Sequence, residues 1–69
     1  MQAECFEDYI EGSGVVKGVV REFNLKYDKI SDVTKNKGVL DILSSGEKYE
    51  LSLNEEEALK IFGFIKNKI

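Results

Sequence analysis

The sequence predicts an α+β domain, a small antiparallel sheet of three to four strands with a C-terminal amphipathic helix packed on it. Three observations carry that prediction. Apolar and polar residues alternate between Val15 and Leu53, two clusters of turn-forming residues interrupt the alternation, and residues 54–69 switch to helical spacing. With 69 residues in all, the chain has room for one small core and is read as a single domain over residues 1–69.

The first segment, "QAECFEDYIEG", is open to two readings. Ala3, Phe6, Tyr9 and Ile10 recur at helical spacing, with Gly12 placed to end a short N-terminal helix, but a strand also fits residues 2–11. "GSG" at 12–14 reads as a flexible break. In "VVKGVVREFNLKY", Val19, Phe23, Leu25 and Tyr27 share one parity and Glu22, Asn24 and Lys26 the other, the mark of a half-buried strand. Gly18 inside it suggests a bulge or a close backbone approach.

Ile30 and Val33 stand three apart, so a regular strand would turn them to opposite faces, and a turn or bulge around Asp28 to Ser31 would return both to one core. "KNKG" at 35–38 and "SSGE" at 44–47 read as hairpin turns. With Ser45 and Gly46 at the tip, Leu43 faces Lys48, Ile42 faces Tyr49 and Leu40 faces Leu51, each apolar pair contributing roughly 0.2–1 kcal/mol. The same register sets Asp41 against Glu50, a like-charged pair on the outer face.

The closing segment begins with Asn54 as N-cap and Glu57 three residues on, followed by lysines at 66 and 68 where a helix C-terminus favours positive charge. Ala58, Ile61, Phe62, Ile65 and Ile69 form one apolar stripe, with Leu59 and Phe64 off its centre. Gly63 costs about 1 kcal/mol against alanine in a helix interior, which suggests tight packing there.

Composition narrows the function classes. A net charge of −3 runs against nucleic-acid binding, and no segment suits integral membrane insertion. The absence of histidine, with Cys5 the lone cysteine, excludes an intrachain disulfide and the common zinc ligand sets, and no cofactor or metal is expected. "MQAECFEDYIEG" has neither the basic start nor the apolar run of a signal peptide, so an intracellular, cytoplasmic protein is expected.

The run "NLKYDKISDVTKNKGVLDILSSGEKYELSLNEEEALKIFGFIKNKI", residues 24–69, resembles the C-terminal half of bacterial pleckstrin-homology-like domains: "ISDV" enters a strand, "GVLDI" and "GEKYEL" form a hairpin, and a helix closes the sheet. The resemblance implies a barrel with more strands than can be found here, hence either a truncated barrel completed by a second chain or a plain sheet-and-helix sandwich. An open strand edge is a liability that proteins cover or pair, so both versions imply a homo-oligomer or another protein partner. The same resemblance implies peripheral lipid-headgroup or small-ligand binding as an alternative, through Lys35 and Lys37 on a hairpin tip.

Catalytic constellations are thin. Cys5 has no histidine to activate it, and Glu55, Glu56 and Glu57 are consecutive helical residues pointing about 100° apart, unable to converge on an ion. "DKISDVTKNKG" has the wrong spacing for a calcium loop, and "GSGVVKG" lacks the ending of a phosphate loop. The expectation is a non-enzymatic binding or assembly module, with Phe64, Lys35 and Lys37 as candidate partner contacts and a thiol- or carboxylate-based enzyme or sensor as the weaker alternative.

Overall fold

The computed structural model describes residues 2–69. Strands β1 (Ala3–Cys5), β2 (Tyr9–Val16), β3 (Val19–Lys26), β4 (Ile30–Asn36), β5 (Val39–Ser44) and β6 (Glu47–Ser52) precede one helix, α1 (Glu55–Lys68), and a 3₁₀ turn at Tyr27–Lys29 joins β3 to β4. The α+β reading holds, with α1 packed on the sheet, but the described residues contain six strands rather than three or four.

The additional strands come from two places. Residues 2–11, open between helix and strand, fold as β1 and the start of β2, paired antiparallel through Cys5↔Ile10. The expected single strand over residues 15–27 is instead split by a hairpin turn at Lys17 and Gly18, closed by the pair Val16↔Val19. Both turn residues have positive φ, 51° and 80°, as a type I′ turn requires. Gly18 is therefore a turn residue and not a bulge.

"GSG" is no break either. It lies within β2, and its two glycines fall on the concave face, where their missing side chains have a use. A Cβ at Gly12 would overlap the backbone of Gln2 and Ala3, and one at Gly14 would lie 3.1 Å from the Leu51 side chain. With that strip bare, Phe23 of β3 reaches past β2 to Tyr49 of β6, their ring centroids 5.4 Å apart.

Those contacts draw the sheet into a half-barrel. β2 pairs with β3 along one side and with β1 and then β6 along the other, and β5 and β4 follow β6. β3 and β4 are thus the long outer rims, with the three-residue β1 a further short edge, yet only Tyr27–Lys29 separate β3 from β4 in the chain, so the sheet curls to bring these margins near each other. Ile30 and Val33 both reach the core because the β4–β5 register shifts between Ile30 and Asp32, the irregularity expected from their spacing. Ser44, buried beside it, is satisfied by donating its hydroxyl to Lys29 O at 2.8 Å.

The β5–β6 hairpin has the register read from the sequence, including Leu40↔Leu51, Ile42↔Tyr49 and the like-charged Asp41↔Glu50. Asp41 Oδ1 is buried with no hydrogen-bond partner among the described residues. Asn54 caps α1 by accepting the Glu57 N–H at 2.7 Å, while its side-chain amide donates to Glu57 Oε1 at 3.1 Å. Ala58, Ile61 and Ile65 are buried and Phe62 is half-buried against the core, whereas Ile69 is exposed. Gly63 corrects an expectation: it faces open space, and a Cβ there would meet nothing within 4 Å.

Candidate functional site

Three features could carry a function: a small cleft beside Cys5, an acidic groove, and the margins of the sheet. The cleft, about 260 Å³, lies between β1 and α1, with Ala3 and Cys5 on one wall and Ile61 and Phe64 on the other. Burial pushes the Cys5 thiol above its ordinary pKa, with the Tyr27 hydroxyl and the Lys60 charge opposing more weakly. Tyr27 is raised as well, mainly by burial and then by the neighbouring thiol, and it donates its hydroxyl to Phe6 O at 2.7 Å. A protonated, half-buried thiol beside a protonated phenol is a poor nucleophile, because the thiolate is the reactive form.

The groove, about 680 Å³, runs over the end of the sheet where Glu4, Glu11, Glu22 and Glu57 surround Phe23. Its carboxylates sit on four different elements, β1, β2, β3 and α1. Among the described residues no group of three or more His, Cys, Asp or Glu side chains is placed to hold a metal ion. No described helix is long and apolar enough to cross a membrane.

Phe64 and the two lysines lie at opposite ends of α1. The Leu53 N–H donates to Gly38 O at 2.7 Å, which ties the start of the helix to the β4–β5 turn, and Lys66 near its end reaches Asp32 at 3.5 Å. Lys37 occupies the turn with φ 56°, and Lys35 donates to its carbonyl at 3.4 Å. Phe64 is 39% exposed, packs its ring 5.9 Å from Tyr27, and lies under Lys68 at 5.5 Å. These residues therefore do not form one contact surface.

The margins differ sharply from each other. Residues flanking a two-residue hairpin loop exchange hydrogen bonds, so the pair Val16↔Val19 turns the backbone groups of odd-numbered β3 residues towards β2. Tyr27, next in that set, donates its N–H to Asp8 O. Alternation leaves the N–H and C=O groups of Val20, Glu22, Asn24 and Lys26 pointing away from the sheet, and all four residues are exposed. Val19 and Val20 at its start are 56% and 64% exposed.

Along β4 the same rule turns Val33 outward, but its N–H is taken by the Asp32 carboxylate at 2.9 Å. The register shift at Ser31 bends this margin, and α1 packs against it. One rim is blunted and the other is not.

The β3 rim went unread in the sequence because its turn begins with lysine, which rarely takes positive φ. The signal present was Gly18 set between two valine pairs, a hairpin pattern missing only its usual first residue. Comparison with protein-family models, with curated proteins and with solved structures found no match for this chain.

Proposed function

We propose that this chain is a non-enzymatic binding module that works by protein–protein association, in the first instance with itself. The observation that supports the reading is the uncovered β3 rim, a full strand of outward backbone groups beside two exposed valines. Chain size adds to it, since a core this small leaves association as an available source of stability. A cytoplasmic setting belongs to the same reading and is supported by the free thiol.

Sedimentation velocity from micromolar to millimolar protein tests the proposal. The sedimentation coefficient should rise with concentration, and a constant monomer value across the range would defeat it.

A second reading, contact with an anionic lipid surface, is favoured by the far end of α1. There Phe64 and Ile69 are exposed beside Lys66 and Lys68, and Lys68 lies over both the Phe64 and Tyr27 rings. Vesicles with and without phosphatidylserine distinguish it, since only the anionic ones should bind and added salt should release the protein.

A further inference from the structure

We propose that two copies of the chain join β3 to β3 in antiparallel register about a two-fold axis at Phe23, continuing the sheet from one molecule into the next. This rests on the association reading above and adds the surface, the occupant and the register.

Sheet geometry limits the choices. Directly opposed residues in an antiparallel pair point to the same face, so residues i and j of the two copies must share parity, and i plus j must be even. For a strand spanning Val19–Lys26, two registers give the greatest overlap, one with the axis at Glu22 and one with the axis at Phe23. The first sets Glu22 against Glu22 of the second copy, a direct like-charge pair. The second sets Glu22 opposite Asn24, Val20 opposite Lys26 and Phe23 opposite itself, and it brings both Lys26 and Glu22 of the second copy diagonal to Glu22.

The axis at Phe23 therefore has no directly opposed like charges. It also engages every outward backbone group identified above, because Val20, Glu22, Asn24 and Lys26 meet one another across the axis. A second copy fits this edge because the register opposes no like charges and pairs the outward backbone groups of β3 with their own counterparts. The β4 margin offers no equivalent, since its Val33 N–H is already taken by Asp32.

The test uses the full chain with a mixture of ¹⁵N-labelled and unlabelled copies and a zero-length carbodiimide cross-linker. Glu22 and Lys26 lie on one face of β3, four residues or about 13 Å apart along the strand, too far to join within one chain. The expected product is a Glu22–Lys26 cross-link carrying one labelled and one unlabelled peptide. Asn24→Lys should tighten the dimer by placing a cation opposite Glu22 of the second copy, and Asn24→Asp should weaken it, each by roughly two- to tenfold in Kd. Asn24 is exposed, so the circular dichroism spectrum should match the parent in both variants.

A dimer that lacks the cross-link and ignores the charge at position 24 would refute this pairing while leaving self-association standing. A chain that stays monomeric into the millimolar range would overturn both, and would leave the β3 edge to a strand from a different protein.

Discussion

The two rims of the half-barrel descend from one three-residue corner, yet they meet solvent in opposite ways. On the β4 side, a register shift bends the strand, Asp32 takes the Val33 N–H, Lys66 reaches that same carboxylate and α1 lies over the inner face. On the β3 side the strand is regular through eight pairs with β2, and its first four residues are all exposed. A margin is thus protected by local irregularity and by what packs over it, and a regular strand with neither remains a template for pairing.

The largest test of this contrast compares the interiors behind the rims. Ile42, fully buried beneath α1, should cost about 2–5 kcal/mol when changed to alanine, whereas Val20→Ala on the open rim should stay within about 0.5 kcal/mol. Urea unfolding of both variants measures the gap, and equal losses would erase the distinction.

Asp32→Ala attacks the protected rim directly. It removes the side-chain acceptor of the Val33 N–H and the half-exposed ion pair with Lys66, for a combined loss of about 1 kcal/mol. It should also create a second pairing edge, so light scattering should show larger species than the parent forms at the same concentration.

The corner itself titrates. Tyr27 and Cys5 both have pKa values raised by folding, so their contribution is fully present below their unfolded values, near 10 and 9. It is lost as pH climbs from there towards the folded values, because the unfolded chain then releases protons the folded chain holds. Melting temperature should therefore fall at alkaline pH. Tyr27→Phe should flatten that decline while costing about 1 kcal/mol at neutral pH through the lost bond to Phe6 O.

The smallest effect concerns the cover. Gly63 is exposed on α1 with space around it, so Gly63→Ala should stabilise the chain by about 0.5–1 kcal/mol without altering association. A destabilised variant would mean that the helix needs glycine for a reason other than packing.

Much of the β4 side was legible because its signals are local. The Asn54 cap, the Ala58–Ile61–Ile65 stripe, the register of Leu40 with Leu51 and the irregularity that reconciles Ile30 with Val33 all follow from spacing within a few residues. The β3 side was not, for reasons that are equally physical. β1 is too short to establish a period, and the turn at residue 17 places positive φ on a lysine. "GSG" suggested flexibility, whereas its glycines make room for chains arriving from elsewhere. Of the candidate site residues, Phe64 and Lys37 are exposed and Lys35 is half-buried, and their separation along α1 was not legible.

By itself the sequence determined the kind of object, an alternating sheet covered by a capped amphipathic helix, because period and capping are properties of neighbouring residues. Only the tertiary structure decided which edge is left open. That depends on β2 meeting β6 through Val15 and Glu50, thirty-five positions apart, and on a curl that only the bare glycine face of β2 allows.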